Sequence, residues 1–511
     1  MIRKAIEEAI KKEFPGVTFT VERPREMAHG DYATNAALIA KADPHALAAK
    51  LKIDGVEKIE VAGKFINFFL SREALVPKEK EIAQIYSGKK VMVEYTDPNP
   101  FKEFHIGHLM SNAIGESISR LFEATGAKVS RANYQGDVGP HVAKAIWGKM
   151  QKPELAWGAA YTYGDSQYKE HKDEIDVLNK KIYDKSDTKI NELYDAGRTE
   201  SLERFEKLYK VLGTKFDYYF FESETAPKGL AIVKAHPDIF EESEGAVVFK
   251  GEQYGLHTRV FITKLGLPTY ETKDLGLMEL KQEALDADRS ITVTANEQKD
   301  YFKVVLEAAK HVPELKSFAE KTQHVSHGMM RFASSKMSSR KGNVITGESL
   351  ITELTEAARG RVDVAVGAVK YAVLRSGSGK DIIFDPDKSL SLEGDSGPYV
   401  QYALMRARAL LREAAKAGIS AGEQDKPVEA NVLERLLVHF PSVVERAAKE
   451  LEPHYVTTYI TELAAAFNSW YASERVIGGE RPHYGVLLAK AVEQTLAKGL
   501  QVLGIPAPEE M

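Results

Sequence analysis

Apolar and polar positions change period several times along the chain, and the changes divide it into units. The opening "MIRKAIEEAIKKEF" mixes apolar and charged residues at helical spacing and predicts an amphipathic helix over 2–13. "GVTFTVERP" alternates like a strand, and "HGDYATNAALIAKA" (29–42) reads as a turn entering a helix, with Asp31 as its cap. "KIEVAGKFINFFLS" (58–71) is rich in β-branched and aromatic residues and predicts strand again. A second unit opens at "KKVMVEYTDPNP" (89–100), a short apolar strand that "DPNP" stops. A helix over 107–126 follows, closed by Gly126, and then "KVSRANYQGDVG" as strand and turn. Strand, helix, strand in this order predicts a right-handed parallel crossover, the start of a doubly wound nucleotide-binding sheet.

From 140 to 245 the pattern is helical and highly charged, as in "KEHKDEIDVLNKKIYDK", which predicts an insertion with a solvated face. Strand, turn and helix alternate again over 246–325, the expected second half of the nucleotide fold. From Asp395 onward nearly everything reads as helix, so the chain should end in an all-α domain. With 511 residues, three or four domains are expected rather than one core.

Composition narrows the functional classes. The chain has no Cys, which excludes disulfides, thiolate metal sites and a Cys nucleophile and fits a reducing cytoplasm. The amphipathic start is not a signal peptide, and no stretch has the ~20 apolar residues of a membrane span. A net charge of −5 gives no overall basic signature, so any nucleic-acid contact must come from local patches.

The candidate chemistry lies in "FKEFHIGHLMSN" (101–112), where His105 and His108 stand three apart around Gly107. The spacing is not the i, i+4 pair of a zinc-protease helix, and no third ligand offers itself, so a metal is disfavoured. A strand end meeting a helix start is where parallel sheets bind ligands. Helix N–H groups suit phosphate, Gly107 lets a flat ligand approach the backbone, and two imidazoles can donate to phosphoryl oxygens. Far downstream, "SSKMSSRKGN" (334–343) sets Lys336, Arg340 and Lys341 among small residues, the composition of a loop that closes over polyphosphate.

"HIGH" followed by "KMSS" is the signature pair of class I aminoacyl-tRNA synthetases, and the chain resembles the arginyl-tRNA synthetase family in particular. The resemblance runs through "HGDYATNAA", "VAGKFINFFL", "DPNPFKEFHIGHL", "ANYQGDVG", "FDYYFFESE", "PTYETKD", "KMSSRKGN", "GAVKYAVLRS", "YVQYALMRA" and "LGIPAPEEM", in order over nearly the whole chain. It implies four units: an N-terminal domain over 1–75 that touches the tRNA elbow, and a Rossmann-type catalytic domain over 76–335 with its insertion at about 140–245. The second-motif loop and stem follow over 336–394, and then a helical anticodon-binding domain over 395–511. It implies activation of L-arginine by ATP to arginyl adenylate and pyrophosphate, then transfer to the 3′ end of tRNA-Arg. Mg²⁺ would accompany the ATP, no metal would be held by the protein, and the enzyme would act as a cytoplasmic monomer without an editing domain.

The resemblance also distributes roles. His105, His108, Lys336 and Lys102 would be catalytic, and His105, Gly107, His108, Lys336, Met337 and Ser338 would bind ATP. Ser339 stands where the family's second motif usually has another lysine, so Lys102 would supply that charge, with Lys341 as the alternative. Glu94, Asp97, Pro98, Asn99, His108, Tyr270, Asp274 and Gln298 would line the arginine pocket, Asp97 standing where many relatives carry Ser. A planar, permanently charged guanidinium favours such carboxylate partners. Tyr399, Tyr402 and Arg406 fall on one helical face and, with Trp470 and Met511, would contact tRNA; the same spacing also suits a bundle core. Other readings are a class I synthetase for a different amino acid, a HIGH-type nucleotidyltransferase, and a synthetase-like RNA binder without activity. The long helical C-terminal region and the intact motif residues argue against the last two.

Overall fold

The computed structural model describes residues 2–78, 81–333 and 345–509. Lys336, Met337, Ser338 and Met511 therefore lie outside the described residues.

At the centre is a five-stranded parallel sheet: β1 (Lys90–Glu94), β2 (Lys128–Gln135), β3 (Tyr218–Phe221), β4 (Arg289–Ala295) and β5 (Thr322–His327). Its order is β5-β4-β1-β2-β3, with every neighbouring pair parallel. Read from the other edge this is the doubly wound order, whose switch point lies between β1 and β4. Val91, Met92, Val93, Ile291 and Val293 are fully buried because helices cover both faces. The helix Ile106–Ala124 returns from β1 to β2, and its axis approaches closely because position 115 is glycine: a Cβ there would lie 2.2 Å from the Tyr95 ring.

Two expectations change. The charged region 140–245 is mostly helical, but β3 within it pairs with β2 as an edge strand of the central sheet. Its "YYFF" is short enough to be submerged in the surrounding helical signal. In the region 246–325, Ala246–Phe249 and Arg259–Ile262 do not join the central sheet; with Glu241–Ser243 they form a separate antiparallel one. Propensity marks a strand but not its partner.

The N-terminal unit packs the helix Ile2–Glu13 on a four-stranded antiparallel sheet through Ile6 and Ile10. Asp31 is not a helix cap. It is 2% exposed, accepts the Leu70 N–H at 2.8 Å and is gripped by the Arg435 guanidinium at 2.8 and 2.9 Å. Arg72 pairs with the fully buried Glu434 at 2.7 Å and donates to the Pro427 carbonyl at 3.0 Å. Arg23 forms a fork on Glu462 at 2.6 and 2.7 Å. These three arginine contacts clamp the N-terminal unit onto the C-terminal helices, which include Gly397–Lys416, Val432–Leu437, His454–Ser473 and Pro482–Val502.

Removing one partner of a buried ion pair strands the other charge. Arg435→Met is therefore expected to lower the unfolding free energy by about 2–3 kcal/mol, measured by urea denaturation. An unchanged midpoint would rule out this clamp as a stabilising contact.

Candidate functional site

The site is built at the carboxyl ends of β1, β2, β4 and β5. Between β1 and the next helix the backbone takes an unusual course. Thr96, Asp97 and Phe101 have φ of +80°, +45° and +70°, a region that non-glycine residues and above all β-branched ones avoid. Such strain costs about 1–3 kcal/mol per residue and persists only where surrounding contacts enforce it. Here Ser111 Oγ accepts the Thr96 N–H at 3.0 Å, Asn112 donates to Thr96 Oγ1 at 3.1 Å, and Ser201 Oγ accepts the Phe101 N–H at 2.9 Å.

The turn delivers His105 and His108 to the first turn of the helix, stacked with ring centroids 3.6 Å apart. His108 Nδ1 accepts the His105 N–H at 3.2 Å. In the neutral ring the proton then sits on Nε2, which is left as the donor. Burial, followed by the charges of Lys102 and His327, lowers the His105 pKa. His108 is held well below the ordinary imidazole value by burial and then by His105 and Lys102. Both rings are thus neutral donors at pH 7. The His105 ring packs close to Gly107, where a Cβ would lie 3.0 Å from it.

The residues that follow the second motif return to the same place. Thr346 forms a β-bridge with His105, and the Gly347 N–H donates to the Phe104 carbonyl at 2.6 Å. Arg204 ties the two sides further by pairing with Glu103 at 2.8 Å and Glu348 at 2.7 Å. Over two hundred residues of sequence thus close to adjacent backbone.

Beside the histidines lies a group of buried carboxyls. Asp97 accepts the Tyr134 N–H at 2.8 Å, yet burial and then the Glu94 charge push its pKa well up. Asp274 accepts from Tyr301 OH at 2.6 Å, and burial raises its pKa to about 7. Glu94 is less available than its strand-end position predicts: it is buried in an ion pair with Lys281. Asn99 Oδ1 accepts the Gly136 N–H at 3.0 Å, which leaves its amide N–H₂ free to donate. Tyr270 opens the helix Tyr270–Ala284 and is 60% exposed, with Lys273 Nζ 5.1 Å above its ring. Gln298 is exposed at the start of the helix Lys299–His311.

The sequence reading missed Glu222. It is buried, paired with Lys273 at 2.6 Å, and raised in pKa by burial despite that ammonium. A Cβ on Gly136 would lie 3.1 Å from its Oε1, which places it beside Asn99. Its signal was the motif "FDYYFFESE", in which no carboxylate stands out from its neighbours. Burial lowers the Lys102 pKa, its ammonium lies 4.8 Å over the Tyr161 ring, and it feels the charges of Asp165, Lys144 and then Glu222. Asp137 braces the loop by accepting from Arg198 at 3.0 Å, Tyr194 OH at 3.0 Å and Ser223 N–H at 2.8 Å. Among the described residues no group of three His, Asp or Glu side chains is arranged to hold a metal ion.

The comparisons with known proteins agree on one family. Residues 71–385 match the family described as tRNA synthetases class I (R), catalytic domain. Residues 1–70 match the arginyl tRNA synthetase N terminal domain, and 400–511 the DALR anticodon binding domain. The arginine–tRNA ligase of Clostridium botulinum (strain Hall) is 30% identical, over 100% of this chain and 99% of that protein. The chain belongs to the arginyl-tRNA synthetase family. The arginine–tRNA ligase of Clostridium perfringens (strain 13) is 29% identical over the same shares. Among solved structures, Thermus thermophilus arginyl-tRNA synthetase superimposes with a TM-score of 0.84 at 26% identity, covering 100% of both chains.

On the helical domain of this synthetase, Tyr399 is partly buried against the bundle core, so the core reading of the aromatic face applies to it. Arg406 lies 4.6 Å from the Tyr402 ring and 5.6 Å from the Tyr471 ring, and donates to Asn468 at 3.1 Å. Trp470 is partly buried one helix away.

Because the Asp274 pKa is raised, the folded chain holds a proton that the unfolded chain loses near pH 4, so this residue lowers stability as pH rises from about 4 to about 7. Asp274→Asn is expected to match the parent at pH 4 and to exceed it by about 2–4 kcal/mol at pH 7.5, measured by urea unfolding. A difference that did not change with pH would contradict the burial of this carboxyl.

Proposed function

We propose that this cleft joins L-arginine to ATP and then passes the arginyl group to tRNA-Arg. The carrying observation is the bridge between Thr346 and His105, which brings the residues that follow the second motif onto the first, next to the buried carboxyls. The arginine carboxylate attacks the α-phosphorus in line; a P–O bond forms, the bond to the β-phosphate bridge breaks, and pyrophosphate leaves with its electron pair. The attacking carboxylate is already ionised, so no general base is required. Catalysis is then positioning and charge stabilisation.

His105 and His108 donate from neutral imidazoles to the phosphoryl oxygens, and Gly107 seats the adenosine. Lys336, Met337 and Ser338 cover the triphosphate from the second motif, with Lys102 as the additional cation and Mg²⁺ entering as the counter-ion of ATP. Asp274 and Asp97 receive the positive charges of arginine, with Glu222, Tyr270, Gln298, Pro98 and Asn99 around them. Glu94 acts through its Lys281 pair by setting the shape and charge of the pocket wall. Glu94 and Glu222 are ion-paired with Lys281 and Lys273, whereas Asp97 and Asp274 have no ion pair among the described residues, so two carboxyls remain for positive charges of a ligand. Arginine supplies a guanidinium and an α-ammonium.

The helical domain, with Tyr402, Arg406, Trp470 and Met511 and with Tyr399 behind them, grips the anticodon, and the N-terminal unit touches the tRNA elbow. The enzyme works as a monomer in the cytoplasm. No described helix is long and apolar enough to cross a membrane.

Labelled-pyrophosphate exchange into ATP, with tRNA present, should occur with arginine and with no other amino acid. Exchange driven by lysine or glutamine would refute the pocket. His108→Ala should lower kcat by at least about a hundredfold while the fold is kept. Arginine binding requires ionised Asp274, so its Kd by titration calorimetry should rise about tenfold from pH 8 to pH 6, with proton release at pH 6. A pH-independent Kd would exclude Asp274 as a ligand.

A further inference from the structure

The helix that carries the two histidines is held at its other end by the far C-terminus. Ser117 Oγ donates to the Val502 carbonyl at 3.1 Å, and Arg120 Nη1 to the Gln501 carbonyl at 3.2 Å. Ser117 lies about 16 Å of helix beyond the first turn, at 1.5 Å per residue. Next to this contact is Lys370, on the helix Val362–Leu374, only 1% exposed. Its ammonium donates to the Leu212 carbonyl at 2.6 Å and the Gly504 carbonyl at 2.8 Å.

Both carbonyls belong to elements that act on the site. Leu212 ends the helix Thr188–Leu212, so the ammonium sits on the negative pole of that helix. The same helix supplies Ser201 to the strained Phe101 backbone and Arg204 to Glu103 and Glu348. Gly504 turns the chain end with φ of +64°; a Cβ there would lie 3.3 Å from Lys370 Nζ and 3.4 Å from Arg120 Nε. The histidine helix, the brace helix, the Lys370 helix and the C-terminal turn therefore converge on one ammonium. Among the described residues no carboxylate is within ion-pair distance of it. Burying this charge costs desolvation that an apolar side chain of the same length would avoid, and two carbonyls with the more distant Glu116 carboxylate of the histidine helix offset it. Burial pushes the Lys370 pKa down to about 8, so the group is still charged at pH 7.

We infer that Lys370 is a positioning residue for adenylate formation: it locks the C-terminal turn to the brace helix and so sets the angle at which the histidine helix meets the triphosphate. The inference rests on the proposed placement of ATP at His105 and His108. It assigns to the end of the tRNA-binding domain a part in amino-acid activation.

The test uses the full-length enzyme in pyrophosphate exchange and tRNA charging. Lys370→Met should lower kcat about tenfold while the KM for tRNA stays within about twofold. Lys370→Gln, which keeps two N–H donors without the charge, should recover most of that loss. A merely structural role would lower the melting temperature and leave kcat within about twofold, and that result would overturn the inference. Equal losses in the Met and Gln variants would overturn it too. Should Lys370→Met fail to fold, Gly504→Ala decides: it crowds the ammonium without removing it and is expected to lower kcat in the same way, and an unchanged kcat refutes the lock. Failure of the underlying reading looks different, because the parent enzyme itself would then show no arginine-driven exchange, or His108→Ala would turn over normally.

Discussion

The left-handed turn from Thr96 to Phe101 is the constraint on which the rest of the active cleft depends. Three non-glycine residues with positive φ in six would relax if the segment were free. They hold because Ser111, Asn112 and Ser201 occupy the backbone and hydroxyl groups of the turn. The turn then points Asp97 inward, offers Asn99 to Gly136, and releases Lys102 and the histidines on the far side. A relaxed turn would scatter those side chains by ångströms, and in-line transfer tolerates little misplacement.

Electrostatics at the cleft are arranged around what is missing. The imidazoles are neutral and stacked, which suits them to donate to a triphosphate without repelling each other. The carboxyl pocket is the reverse: burial and then the Glu94 charge push Asp97 toward the protonated form, burial does the same to Asp274, and neither has an ion pair among the described residues, whereas Glu94 and Glu222 have Lys281 and Lys273. Asp274 and Asp97 can therefore take up a positive charge at the expense of a proton, while the paired carboxylates keep the pocket walls in place.

The architecture links the two ends of the chain to this chemistry by different routes. The N-terminal unit is fastened to the helical domain through Asp31, Arg72 and Arg23. The helical domain in turn reaches the histidine helix through Ser117, Arg120 and Lys370. The N-terminal unit, the helical domain and the histidine helix thus share a short chain of polar contacts.

Much of this was legible in the amino-acid order. β1, the histidine helix and β2 follow from period and stop signals, because local propensity and burial agree there. The spacing of His105, Gly107 and His108, and the downstream basic segment, already pointed to a triphosphate. What folding alone decided was pairing. Nothing local says that β3 joins the central sheet while Ala246–Phe249 does not, that Glu94 meets Lys281, or that Glu222 faces Asn99. Nor does any local rule reveal positive φ at Thr96 or the Asp31–Arg435 contact across four hundred residues of chain. Periodicity reports which side of an element is buried; which buried groups then touch is a property of long-range packing, and no short window of sequence contains both partners.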